Sequence, residues 1–230
     1  MTQLRVLGVD ACKAGWVGIA LADGAVQAFV HAEIGGLVGL AMALGPLAAI
    51  AIDIPIGLAD DRPRQADLLA RTAAGARWAS VFATPVRSAL VKGDYQRALA
   101  INRKLTGRGI SRQAFNLREK ILQVDSWYPE RPCPVVEAHP ELSFREMAGA
   151  QLTDSKSTWA GAVTRRRLLA AGGIEVNGEL GLAGQRVGVD DVLDAAAVAW
   201  TADRFARGAA RCLPDPPERF SDGIECAIWT

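Results

Sequence analysis

The sequence predicts an α/β fold, and three observations support this prediction. Residues 4–54 carry short apolar runs separated by turn signals, which is typical of β-strands. Residues from about 60 to 130 instead carry apolar side chains at helical spacing. Residues 134–207 return to one strand and then to helices. A chain of 230 residues can bury a full core, so we predict a single domain over residues 1–230 with a helical insertion at about 60–130.

The N-terminal part predicts a three-stranded antiparallel meander. Gly15 and the Asp23-Gly24 pair are turn signals between its strands. Gly36 to Leu44 is apolar and Ala-rich, which favours a short buried helix, and residues 48–54 form the continuous apolar run of a strand buried on both faces. The strands of the meander are the stretches that alternate or run apolar, residues 4–10, 16–22 and 25–31.

The sequence of the insertion predicts three or four helices, and the insertion is strongly basic. Its first helix starts at residues 60–63, where acids precede Pro63. Residues 62–120 contain 13 Lys and Arg against 3 acids, whereas the rest of the chain contains 13 against 22. Such a segment could bind a polyanion. The alternative is that it is an ordinary solvated helical surface.

The C-terminal part predicts a strand at residues 134–137 and three helices. The helices cover residues 140–148, Trp159 to Ala171, and a stretch that is capped at Val189 or Asp190 and runs to about Arg207. The proline-bearing tail ends in a short strand, Glu225 to Trp229.

Composition excludes several classes of protein. The uncharged apolar stretch of residues 34–52 is interrupted by four glycines before Pro46, which predicts a buried helix and a strand, not a membrane span. No secretory leader is apparent at the N-terminus, so we expect a cytoplasmic protein. The four cysteines form no CxxC pair, which favours reduced thiols over a zinc site or a disulfide framework.

Acidic residues occur where apolar elements meet chain breaks. Asp10 follows the first strand, Asp53 the buried strand, and Glu137 a third strand. Asp191 and Asp194 lie on one face of the last helix, in its first turn. Clustered carboxylates repel one another and need shared protons or cations. The alternatives are a turn aspartate at Asp10 and ordinary helix capping by the late pair.

Such a set of carboxylates without a His/Cys set predicts Mg²⁺ or Mn²⁺, with Asp10, Asp53, Glu137 and Asp194 as ligands. Two such ions about 4 Å apart would activate a water and stabilise the leaving oxygen of a phosphodiester displacement. His139 is a candidate general base or ligand, and a structural role before proline is its alternative. The candidate contacts to substrate phosphates are Lys13, Arg64, Arg71, Lys156 and Arg165.

Several motifs occur in a fixed order along the chain. They are Gly8-Val9-Asp10 with Gly15-Trp16-Val17, Asp53-Ile54-Pro55-Ile56-Gly57-Leu58, Val136-Glu137-Ala138-His139-Pro140-Glu141, Lys156, and Asp190-Asp191-x-x-Asp194-Ala195. Over roughly residues 4–205 this pattern resembles an uncharacterised bacterial family of predicted ribonuclease H-like nucleases, a domain-of-unknown-function family. The late acid pair also resembles the last helix of Holliday-junction resolvase-type nucleases.

The resemblance implies a ribonuclease H-like fold with a central mixed five-stranded sheet in the order 3-2-1-4-5, flanked by helices. The insertion would lie between strands four and five. It also implies a two-metal nuclease, in which Asp10 bridges two ions, Asp53 and Asp194 each hold one, and Asp191 or Glu137 supports them. One departure is that nucleases of this type commonly carry glutamate where this chain has Asp53.

Other functions remain open at this level. A sugar-kinase or actin-like ATPase would need two such domains, for which the chain is too short. A non-catalytic protein could use the basic insertion to hold DNA or RNA. A phosphohydrolase or phosphotransferase acting on a nucleotide or a small phosphorylated metabolite is a further alternative. The choice between DNA and RNA and the formation of a homodimer are left open.

Overall fold

A computed structural model of the protein describes residues 4–22 and 25–230. The predicted Asp23-Gly24 turn lies outside these residues. Within them the chain forms seven strands and nine α-helices. The strands are β1 (Val6–Cys12), β2 (Gly15–Ala22), β3 (Ala25–His31), β4 (Ala49–Ile52), β5 (Val135–Ala138), β6 (Cys212–Arg219) and β7 (Glu225–Trp229). The helices are α1 (Ile34–Met42), α2 (Gln65–Ala74), α3 (Arg87–Leu90), α4 (Tyr95–Thr106), α5 (Arg112–Asn116), α6 (Arg118–Trp127), α7 (Pro140–Ala148), α8 (Trp159–Ala171) and α9 (Val189–Ala206).

The strands form a mixed sheet in the order β3-β2-β1-β4-β5-β7-β6. The β1–β2 and β2–β3 pairs are antiparallel, and the β1–β4 and β4–β5 pairs are parallel. The prediction of five strands is therefore wrong, because the described residues contain seven. Strand β6 is not predicted from the sequence because it contains Pro214, Pro216 and Pro217. Proline cannot donate to a sheet ladder and is tolerated on an edge strand, which is the position of β6.

The chain divides into two compact units. Unit 1 comprises residues 1–53, 130–211 and 229–230, and it contains β1 to β5 with α1 and α7 to α9. Unit 2 comprises residues 54–129 and 212–228, and it contains α2 to α6 with β6 and most of β7. Its first helix begins at Gln65, so the predicted start at residues 60–63 is wrong. The insertion is helical as predicted, with five α-helices instead of three or four.

The uncharged apolar stretch of residues 34–52 folds as α1 and β4, as predicted. Helix α1 packs against β2 and β3. Among the described residues, none of the helices combines the length and the apolar character needed to span a bilayer.

Helix α9 packs on β1, β2 and β4 in the core of unit 1. Its small residues let it lie directly on the backbone of β1 at Gly8. A Cβ on Gly8 would lie 2.1 Å from the Ala199 nitrogen and 2.2 Å from the Ala195 carbonyl oxygen. This close approach brings the first turns of α9 near Asp10, which lies within β1 two residues after Gly8.

Candidate active site

Asp10 lies within β1, and Asp53 lies next to it, directly after the parallel strand β4. Val9 of β1 pairs with Ile52 of β4, and the Asp53 amide donates to the Val9 carbonyl at 2.9 Å, so Asp10 and Asp53 form the next pair along the ladder. Side chains alternate along a strand, so Asp10 shares the face of Gly8, which is the face covered by α9. Both carboxylates therefore point toward α9, and Asp10 is only 7% exposed.

Helix α9 brings Asp194 to the same face of the sheet. Asp194 is buried, and its carboxylate accepts a hydrogen bond from the Lys156 ammonium at 2.5 Å. Lys156 Nζ also lies 3.9 Å from the Asp190 carboxylate. The carboxylate of Asp191 instead accepts from the Gly188 amide at 2.9 Å, which caps the helix. The two acids of the late pair therefore have different roles. Asp194 lies on the same side as Asp10 and Asp53, whereas Asp191 caps α9.

The pKa values of these acids reflect a shortage of positive charge. Burial raises the pKa of Asp10 well above its ordinary value, and the charges of Asp53 and Asp194 raise it further. Burial also raises the pKa of Asp53, although His139 opposes the shift. For Asp194, burial raises the pKa to about 6 despite the attraction of Lys156. A bound proton or a cation therefore stabilises this group of acids.

We expect the wild-type protein to lose stability as the pH rises from about 4 to about 6. Asp194 has a pKa of about 6 in the folded protein, above the value of about 3.9 for an unfolded aspartate. Between these values the folded state binds more protons than the unfolded state. Raising the pH through this window therefore lowers the free energy of unfolding, on the order of 1–3 kcal/mol.

Urea unfolding of wild type and Asp194→Asn at pH 4.5 and pH 7 measures this effect. The substitution removes the titrating carboxyl, so the pH dependence of the variant should be weaker than that of the wild type. An equal pH dependence in the two proteins would contradict the assignment to Asp194.

Glu137 and His139 were also predicted as site residues. The structure places Glu137 away from the other acids and His139 near Asp53. Glu137 pairs with Ile52 in the parallel ladder, so its side chain lies on the face opposite Asp53 and is not brought together with it. His139 is the N-cap residue of α7, and its positive charge would lower the pKa of Asp53. The sequence predicts that Glu137 ends a strand. The face of the sheet on which its side chain lies depends on the register between β4 and β5.

Of the five predicted phosphate contacts, two lie in unit 2 and are engaged within it. Arg64 is fully buried and forms an ion pair with Asp67 at 3.3 Å. Arg71 donates to the Val81 carbonyl at 2.6 Å and stacks on Trp78. These arginines therefore contribute to packing in unit 2.

The other three predicted contacts lie in unit 1. Lys13 is exposed in the turn between β1 and β2. The Lys156 ammonium donates to the carboxylate of Asp194. Arg165 is fully buried and donates to the Glu141 carboxylate at 2.6 Å. Sequence reasoning missed Glu141, whose charge raises the pKa values of Asp53 and Asp194. Its position in the first turn of a helix that follows an acid-bearing strand was the available signal.

The donor chemistry fits a hard divalent cation. Within residues 4–22 and 25–230, no group of three or more His, Cys, Asp or Glu side chains is arranged to hold a metal ion. Mg²⁺ commonly takes only one or two protein carboxylates, because waters and substrate phosphates complete its shell. Asp10 and Asp53 provide such a pair, whereas Asp194 is engaged by Lys156.

Comparison with known families gives one finding. The sequence profile of the family described as "Protein of unknown function (DUF429)" matches residues 8–219. The matched region runs from β1 to the end of β6 and includes Asp10, Asp53, Lys156 and Asp194. Searches of the curated proteins and of the solved structures found no significant match.

Proposed function

Since the chain belongs to the DUF429 family, whose description names no reaction, we propose from its residues that it is a metal-dependent nuclease. The observation that carries this proposal is the pair of neighbouring carboxylates formed by Asp10 of β1 and Asp53, which directly follows β4. Asp10 is buried next to Asp53, and the pKa values of both are raised. A protein keeps such an unfavourable arrangement when a cation or a reaction uses it.

Asp10 and Asp53 would hold a Mg²⁺ or Mn²⁺ ion, which supplies charge neutralisation for a phosphate and polarises a water. In the hydrolysis, the water oxygen forms a bond to phosphorus, one phosphorus–oxygen ester bond breaks, and a proton from the water passes to the leaving alcohol. The Lys156 ammonium lies beside Asp194 and is 42% exposed, so it can also approach a substrate phosphate.

A nucleic acid substrate is supported by the charge of the helical insertion within unit 2. The segment of residues 62–120 carries 13 basic side chains against 3 acidic ones. A series of cations binds a polyanion through release of its counterions. The exposed members of this series are Arg62, Lys92, Arg97, Arg103, Lys104, Arg108 and Arg112.

The experiment that tests the proposal is a cleavage assay with end-labelled single-stranded, duplex, RNA–DNA hybrid and branched oligonucleotides. We expect at least one substrate to be cleaved in Mg²⁺ or Mn²⁺, and we expect no cleavage in EDTA. Asp53→Asn should reduce the rate by about 100-fold or more, because it removes one carboxylate of the pair. Asp61→Asn is the matched control, since Asp61 is an exposed acid of unit 2. Cleavage that persists in EDTA, or equally in Asp53→Asn, would refute this site.

A second candidate function is favoured by the exposed cations of unit 2. In this alternative the protein binds DNA or RNA without cleaving it, and the carboxylates are structural. Such binding would weaken steeply with salt and would not respond to Mg²⁺. Binding of this kind without cleavage of any oligonucleotide would favour this alternative over the nuclease.

A further inference from the structure

Lys156 places a positive charge among the acids of the candidate active site. Its ammonium lies 2.5 Å from the buried Asp194 carboxylate and 3.9 Å from Asp190. Its charge also acts on Asp10 and Asp53, whose pKa values it lowers against the larger effect of burial. One lysine therefore interacts with Asp10, Asp53 and Asp194, the three acids that were predicted to hold metal ions on this face of the sheet.

The loop that carries Lys156 is held closely in place. The Ser155 carbonyl accepts hydrogen bonds from the Thr158 amide at 3.0 Å and from the Thr158 hydroxyl at 2.8 Å. A Cβ on Gly161 would lie only 1.9 Å from the same carbonyl oxygen, so the loop packs directly on α8. The fully buried Arg165 donates to the Asp154 carbonyl at 3.2 Å. These contacts fix the backbone on which Lys156 lies, so that its side chain starts from a defined position beside α9.

Lys156 occupies the carboxylate that a second ion would need. The predicted two-metal arrangement assigns one ion to Asp194, whose buried carboxylate already accepts a hydrogen bond from the Lys156 ammonium at 2.5 Å. A second divalent ion would have to share this carboxylate with the ammonium, and the two positive charges would repel each other.

We infer that Lys156 takes the place of a second cation, so that the site binds one divalent ion, at Asp10 and Asp53, where a two-metal nuclease binds two. This inference rests on the proposed function, because it concerns the same cation site. It changes the predicted mechanism: Asp194 holds and orients the ammonium and is not a metal ligand.

Calorimetric titration with MnCl₂, without nucleic acid, tests this inference. Wild type and Lys156→Arg, which keeps the charge, are expected to bind one ion. Lys156→Met, which removes the charge and keeps much of the length, is expected either to bind a second ion or to bind the first at least about tenfold more tightly. Arg211→Met is the control, since Arg211 is an exposed cation of unit 1 outside the candidate site, and its titration should match wild type. Circular dichroism checks that each variant is folded.

The outcomes separate this inference from the proposed function. Two ions bound by the wild type would overturn the inference and leave the metal-dependent nuclease standing. A Lys156→Met titration identical to that of the wild type would do the same. If neither protein binds Mn²⁺ or Mg²⁺, both proposals fail. The stoichiometry of the wild type decides the question even if Lys156→Met does not fold.

Discussion

Asp10→Asn is expected to abolish cleavage of nucleic acid and, at the same time, to make the protein more stable to heat. The rate should fall by about 1,000-fold or more, because the substitution removes a carboxylate that would hold the cation. The melting temperature should rise by about 2–6 °C, which corresponds to about 1–2 kcal/mol for a chain of this size. The reason is that Asp10 is buried, and that the charges of Asp53 and Asp194 oppose its own. Catalytic sites commonly conflict with stability in this way.

Asp67→Asn is the matched control for this stability effect. Asp67 is also buried, but it accepts a hydrogen bond from the Thr84 amide at 2.6 Å and forms an ion pair with Arg64. The same substitution should therefore destabilise the protein at Asp67, by about 2 kcal/mol or more. Differential scanning calorimetry of both variants, without added metal, measures whether the melting temperature rises or falls in each. A lower melting temperature for Asp10→Asn would show that its carboxylate is structural.

Gly8→Ala is expected to destabilise unit 1 strongly. The new Cβ would lie 2.1 Å from the Ala199 nitrogen and 2.2 Å from the Ala195 oxygen, and both are backbone atoms of a buried helix. Neither can move unless α9 shifts away from β1. We expect a loss of about 3 kcal/mol or more of the free energy of unfolding, measured by urea denaturation.

Gly39→Ala is the control for this prediction. Gly39 lies within α1, and a Cβ there would meet no atom within 4 Å. Alanine is favoured over glycine in a helix, so this variant should gain about 0.5–1 kcal/mol. If Gly8→Ala unfolded at the same urea concentration as Gly39→Ala, the close contact between β1 and α9 would be disproved.

Several elements could be predicted from the sequence because their signals are local. The predicted helices at residues 140–148 and Trp159 to Ala171 agree with α7 and α8, whose ends carry a proline start or a glycine stop. The prediction that the chain belongs to an uncharacterised, domain-of-unknown-function family is confirmed by the profile match over residues 8–219. The nuclease activity and the ribonuclease H-like fold stay predictions.

The sequence by itself determined which residues are acidic, which strands they end, and where most helices begin and end. Only the tertiary structure decided which acids meet. Asp10 and Asp53 share a face because β1 and β4 pair in a given register, and the register of β5 turns Glu137 to the other face. Burial likewise decided that Arg165 holds a loop while Lys156 faces the acids. Register and burial depend on contacts between distant residues, and a slip of one residue between two strands would turn every side chain to the other face of the sheet.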